Sequence, residues 1–275
     1  MKVEIVVPCI NLWKKYTKSC IDSLMDAMVR AKAHGIDAHI ILIDNASTDE
    51  TKVEGAKFNA DLLFYQRNEQ RWGFQKSVNF GVKYGMEHGA DLMLICNNDI
   101  VIHPEAIWRM AERFGKDNVG LVSCMDVRGE MRENGIQPLM VGSISAKEKE
   151  KVDEAPHPNF SAFMVSKQCW EEVGEFDELF EPAYFEDNDF HYRMKLLGVP
   201  AITFPPAMFY HYGSRTQNEA NETGQPIVAG ALFENNRAFY VRKWGGSPGD
   251  EKYEHPYNDE SKSLKDTKQG VIPNP

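Results

Sequence analysis

Asp91-Leu92-Met93-Leu94-Ile95-Cys96-Asn97-Asn98-Asp99-Ile100-Val101 is an apolar run that breaks into three oxygen-bearing side chains. Leu92 to Cys96 has the length and character of a fully buried strand. Asn97, Asn98 and Asp99 follow at its end, where polar groups are costly unless something pairs with them. Backbone amides of an Asx-rich turn are one such partner. A divalent cation with the phosphates it carries is the other, since hard cations take oxygen ligands. The stretch alone leaves both open.

Working outward, the same strand character recurs at regular intervals. Val3 to Val7 is a β-branched run stopped by Pro8, which predicts a buried strand. Tyr16 to Lys32 carries Ile21, Leu24, Met25 and Met28 at helical spacing, and Gly35 ends that helix. Ala38 to Ile43 predicts a second strand, followed by Asp44-Asn45-Ala46-Ser47-Thr48-Asp49, a concentrated turn and helix-start signal. Asp61 to Tyr65 predicts a third strand. A helix then carries Val78, Val82 and Gly85 on one face as far as about Gly89. Beyond the opening stretch, Pro104 suits the first turn of a helix with Ile107, Met110, Ala111 and Phe114 as its apolar stripe. Strand–helix alternation with short loops implies a mostly parallel sheet flanked by helices. Ligands of such sheets bind at the carboxyl ends of the strands. Pro8, Asp44, Trp72, Gly73 and Asn97–Asp99 should therefore converge on one edge.

The second half is less regular. Val119 to Ser123 predicts a strand, 124–142 irregular hairpins, and Ala146 to Glu154 a solvated charge run. Phe160 to Val165 is apolar again, and Ser166 caps a short helix ending at Gly174. A helix from Glu186 to Leu197 should bury Phe190, Met194 and Leu197, with Asp187 on the inward side and Asp189–Arg193 an exposed i,i+4 pair. Pro200 to Phe204 predicts a strand, His211 lies between aromatics, and 229–244 predicts a helix.

The 275 residues are 42% hydrophobic and 26% charged, ordinary values for a globular protein. A net charge of −10 argues against a broad grip on the DNA backbone. Five scattered cysteines without a CxxC pair fit free thiols rather than a disulfide framework or zinc site. No segment approaches the roughly 20 apolar residues of a membrane helix, and the N-terminus does not read as a signal peptide, so the expected location is cytoplasmic.

Taken together, Ile5-Val6-Val7-Pro8, Asp44-Asn45-Ala46-Ser47-Thr48-Asp49, Asn68 with Gly73-Phe74, and Asn79-Phe80-Gly81 form one ordered set. It continues through Asn97-Asn98-Asp99, Gly174-Glu175-Phe176-Asp177-Glu178, Phe185-Glu186-Asp187-Asn188-Asp189 and His211. This set resembles a family 2 glycosyltransferase of the GT-A fold, from about Val3 to Gly245. The resemblance implies an α/β nucleotide-diphospho-sugar transferase fold with a single, mostly parallel central sheet. It also implies one domain over 1–245, with 1–123 as the nucleotide-sugar half and 124–245 as the acceptor half, and an extended tail over 246–275.

The resemblance further places Pro8 and Asp44 in the nucleoside pocket, with Asp44 accepting hydrogen bonds from the base. Asn97 and Asp99 take the Asp-x-Asp positions, beside Asn98, with Asp99 the stronger ligand for Mn²⁺ or Mg²⁺. His211 becomes a further metal ligand and Asp187 the catalytic base. Arg71 and Lys76, flanking Trp72-Gly73, become candidates for the pyrophosphate, and Tyr212, Ser214 and Arg215 for a loop over the donor. Such an enzyme uses a UDP-, GDP- or dTDP-linked sugar and a glycan or other hydroxyl-bearing acceptor, and a modified nucleic acid acceptor stays open. The departure is Asn97, a neutral amide where the family has a carboxylate. It motivates a rival reading, a non-catalytic sugar-nucleotide-binding protein of the same fold. A sugar-1-phosphate nucleotidyltransferase ranks below both, because no glycine-rich loop follows the first strand.

Overall fold

The computed structural model describes residues 1–58, 61–127, 157–213, 230–265 and 267. The expectations for 128–142 and 146–154, and for Ser214 and Arg215, lie outside the described residues. The strands are β1 (Lys2–Cys9), β2 (Asp37–Asn45), β3 (Leu63–Asn68), β4 (Leu92–Cys96), β5 (Ile100–Ile102), β6 (Leu121–Asp126), β7 (Ala162–Ser166) and β8 (Ala201–His211). The helices are α1 (Lys18–Ala33), α2 (Thr51–Gly55), α3 (Phe74–Glu87), α4 (Ala106–Lys116), α5 (Lys167–Val173), α6 (Glu186–Leu196) and α7 (Gly230–Trp244). A single π-helical turn, Trp13–Thr17, leads into α1.

All eight strands form one sheet in the order β3-β2-β1-β4-β7-β6-β8-β5. The first four are mutually parallel. β7 then runs antiparallel to both β4 and β6, β8 parallel to β6, and β5 antiparallel to β8. Side chains alternate across a strand, so β1 sends Val3, Ile5 and Val7 to one face, against Ile21, Leu24 and Met110. Val6 goes to the other face with Val78, Val82, Phe176 and Phe190. Both faces are covered, which is why these strands read as unbroken apolar runs.

Two local features aim the sheet at its carboxyl edge. Gly81 in α3 lies so close to β1 that a Cβ there would clash with Val6 Cγ1. The missing side chain lets α3 pack backbone-close, and its N-terminus then stands at the strand ends. The second feature is β8, expected to stop at Phe204. It pairs with Cys124 through Phe204, shifts register, and resumes with Met208 opposite Met125. Pro205 and Pro206 fall inside that shift, where a missing N–H interrupts no ladder. The strand therefore continues to His211, which pairs with Ile100 of β5. β5 itself, three residues long, carried no separate strand signal.

α6 departs from its expected pattern. Leu197 is 36% exposed, and Asp189 and Arg193 are fully buried rather than an exposed pair. The reason is α7, whose Lys243 Nζ lies 2.6 Å from Asp189 Oδ1 and 2.7 Å from Asp177 Oδ2. Arg193 Nε donates to Asp189 Oδ2 at 2.9 Å, and its other nitrogens donate to the carbonyls of Val173 and Glu175. Trp244 Nε1 donates to Asp189 Oδ1. Burial works to raise Asp189, but Lys243 and Arg193 outweigh it and leave the carboxyl below its ordinary value. Two acids and two bases thus balance inside the domain. Asp189→Ala leaves two buried cations without that partner, so the expected loss is about 3–5 kcal/mol in denaturant unfolding. A loss below about 1 kcal/mol, typical of an exposed pair, contradicts this account.

After Gly245, expected to begin an extended tail, the described chain lies against α6 and α7. Lys252 and Tyr253 donate to the Trp244 carbonyl, and Tyr192 Oη donates to the Tyr253 carbonyl. Among the described residues, no helix is long and apolar enough to cross a membrane.

Candidate active site

A cavity of about 450 Å³ opens at the carboxyl ends of the central strands. Its wall takes Pro8 from β1, Asn45 from β2, Asn97–Asp99 after β4, and His211 from β8. Arg71, Trp72 and Phe74 border it from the start of α3, 158–161 from the approach to β7, and Pro182, Ala183, Tyr184, Glu186 and Asp187 from the start of α6 and the approach to it. Of the residues singled out in the sequence, Pro8, Arg71, Trp72, Asn97, Asn98, Asp99, Asp187 and His211 come together here.

Asp44, Gly73 and Lys76 do not border the cavity. Asp44 is fully buried behind it. Its Oδ1 accepts from the Ser47 amide at 2.8 Å, and its Oδ2 accepts from Tyr65 Oη at 2.6 Å and Arg67 Nη1 at 2.7 Å. Gly73 is the N-cap of α3, a spacer between Trp72 and Phe74. The Lys76 ammonium stands 5.0 Å from the Trp72 ring centroid, a cation–π contact that holds the indole.

Asp99 and His211 meet because the register of β5 on β8 brings them together. Asp99 is 3% exposed, and its Oδ1 lies 3.1 Å from His211 Nε2. Burial alone lowers the His211 imidazole, but the hydrogen bond and charge of Asp99 raise it above its ordinary value. A carboxylate and an imidazole this close are groups that could hold a divalent cation, whose binding would displace a proton. Among the described residues, no three His, Cys, Asp or Glu side chains cluster as a complete metal cage. Asp99, His211 and Asn97 all border the cavity and carry oxygen or imidazole donors of the kind that could hold a divalent cation. Asn98 serves the fold as well, because its Nδ2 donates to Thr17 Oγ1 at 2.9 Å and so ties the Asx turn to the start of α1.

The opposite chemistry gathers at the start of α6. Tyr184 and Phe185 have φ of 80° and 72°, left-handed values for two bulky residues in succession. Such strain persists only where the surroundings over-determine it. Here Asn236 Nδ2 from α7 donates to the carbonyls of Glu181 and Ala183, and the Phe74 amide donates to the Pro182 carbonyl. The chain so held delivers Glu186 and Asp187 to the cavity. Asp187 Oδ1 accepts from the Asn188 amide at 2.8 Å and from its Nδ2 at 2.9 Å. Burial raises the Asp187 carboxyl above its ordinary range, and the Asn188 hydrogen bonds offset only part of that.

Asn45, Asn159, Pro182 and Glu186 also border the cavity without having been singled out as site residues. For Glu186 the sequence did carry a signal, adjacency to Asp187, but compensation of the helix dipole is the simpler reading of an acid in a first helical turn.

A family model described as "Glycosyl transferase family 2" matches residues 4–172. No curated protein sequence matches the chain. Among solved structures, S. aureus TarS 1-349 is 16% identical with a TM-score of 0.57, over 88% of this chain and 73% of that one. Its complex with UDP is 18% identical with a TM-score of 0.57, over 91% and 74%. GalNAc-T7 with UDP, GalNAc and Mn²⁺ is 15% identical with a TM-score of 0.64, over 89% of this chain and 49% of that one. The chain thus spans about half the length of GalNAc-T7. Identities this low establish a shared fold.

Proposed function

The chain belongs to glycosyl transferase family 2 and has the GT-A fold, and on that premise we propose a metal-dependent, inverting transfer of sugar from a nucleoside-diphosphate sugar to an acceptor hydroxyl. The observation that carries this reading is the meeting of the Asp99–His211 pair and Asp187 in one cavity. Asp99, His211 and Asn97 are the residues to hold Mn²⁺ or Mg²⁺. A bound cation there neutralises the charge that grows on the departing diphosphate. Pro8 and Asn45 border the nucleoside, and Asp44, whose carboxylate is occupied by Ser47, Tyr65 and Arg67, holds the turn that follows β2. Arg71 supplies positive charge for the diphosphate. Asp187 takes the acceptor hydroxyl's proton as that oxygen attacks the anomeric carbon. The C–O bond to the nucleoside diphosphate breaks in the same displacement, inverting the carbon.

GalNAc-T7 with UDP and Mn²⁺, and TarS with UDP, make UDP-sugars and Mn²⁺ the first combination to test. GDP- and dTDP-sugars follow, with glycans as acceptors. Asn97 motivates the second reading, sugar-nucleotide binding without transfer. Nucleotide release from a panel of these donors, with and without Mn²⁺, separates the two. The expected result is release from one donor class that requires the cation and stops on chelation. Binding without release from any donor favours the second reading, and no binding at all overturns both.

A further inference from the structure

The transfer just described gives Glu186 no role, although it borders the cavity. Its side chain is 6% exposed, and its Oε2 has no hydrogen-bond partner among the described residues. A buried polar atom left unpaired costs stability, and the two left-handed residues that deliver it add strain. Asn236 and Phe74 grip the preceding 181–185 segment from two sides, so this position is built, not accidental. An apolar ligand would leave Oε2 unpaired, and a phosphate oxygen can only accept. A hydroxyl both donates and accepts, so it satisfies a carboxyl in either protonation state.

We propose that Glu186 is a sugar-binding residue whose Oε2 hydrogen-bonds a hydroxyl placed beside Asp187, on either the transferred sugar or the acceptor. This rests on the glycosyltransferase reading and adds a subsite to it. Burial first, then the charge of Asp187, pushes the Glu186 carboxyl well above its ordinary range, with backbone hydrogen bonds pulling the other way. Glutamine keeps a side chain that can both donate to and accept from a hydroxyl, and methionine keeps neither capacity.

The test compares Glu186→Gln and Glu186→Met with the wild type, using titration calorimetry with Mn²⁺, thermal melting and nucleotide-release kinetics. The ligands are UDP, UDP-glucose, UDP-N-acetylglucosamine and a set of methyl glycosides as acceptors. If the hydroxyl belongs to the donor, Glu186→Met weakens UDP-sugar binding roughly tenfold or more, leaves UDP unchanged, and Glu186→Gln recovers most of it. If it belongs to the acceptor, donor binding and hydrolysis hold, while the KM of the methyl glycoside that stimulates release rises roughly tenfold in Glu186→Met and is restored in Glu186→Gln. In either case Glu186→Met melts close to the wild type, because it removes the unpaired Oε2 together with the backbone hydrogen bonds that the carboxyl accepts. Equal weakening of UDP and UDP-sugars with a lower melting temperature marks a structural residue and overturns the proposal, as does no change in any binding or kinetic constant. A wild type that binds no nucleotide sugar overturns the underlying glycosyltransferase reading instead.

Discussion

Asp187→Asn lowers transfer by roughly 10²-fold or more while the donor binds as before. The amide has the carboxylate's shape, and its oxygen can still accept the two bonds from Asn188. What it lacks is the capacity to take a proton from the attacking hydroxyl. Burial raises the Asp187 carboxyl above its ordinary range, and that shift has a signature of its own. Only the ionised form accepts a proton, so transfer falls as pH drops through the raised pKa. The acid limb of the rate profile should thus lie above the ordinary aspartate value of about 3.9. Single-turnover transfer across pH, with donor titrations alongside, measures both effects. The variant should lose the rate and this limb together, and near-normal transfer by Asp187→Asn removes the residue from the base role.

The parts of this site that the sequence revealed share one property: each is announced by its immediate neighbours. Leu92–Cys96 is buried on both faces, so the strand and the Asx break that ends it stand out without tertiary knowledge. Ser166 likewise reads as a cap and is one, its Oγ accepting from the Cys169 amide at 3.0 Å. Where sequence reasoning failed, the deciding partner was distant. Asp189 and Arg193 have the spacing of an exposed pair, and Lys243, some fifty positions along the chain, places them in the interior. Pro205 and Pro206 read as the end of a strand, and only the register shift on β6 lets β8 pass through them. That continuation was the hidden step in the site, because it carries His211 to Asp99. Asp44 shows the same limit from the other side: a turn aspartate in the sequence gives no hint that Tyr65 and Arg67 from the neighbouring strand occupy it.

Asp99→Ala is the variant expected to separate metal from fold. In the wild type, Mn²⁺ held at Asp99 should tighten UDP or UDP-sugar binding by offsetting the charge of the diphosphate. The alanine variant should bind the nucleotide with one weak affinity whether or not Mn²⁺ is present, and transfer should fall by roughly 10²-fold or more, as when a charge-stabilising group of the transition state is removed. A collapse of the fold is not the expected cause. The contact that joins β5 to β8 here is made by backbone, with the Tyr212 amide donating to the Asp99 carbonyl at 3.0 Å and Ile100 facing His211 in register. Neither bond uses the Asp99 side chain, so the melting temperature without metal should change little compared with the loss in cation response. His211 supplies the internal control. With the carboxylate gone, the hydrogen bond and charge that raise its imidazole disappear, and its titration, followed by NMR, should move to lower pH in the metal-free protein. A variant in which His211 shifts but Mn²⁺ still tightens the nucleotide places the cation on other ligands. One in which His211 shifts and the Mn²⁺ response is lost together leaves Asp99 as the charge that holds the cation.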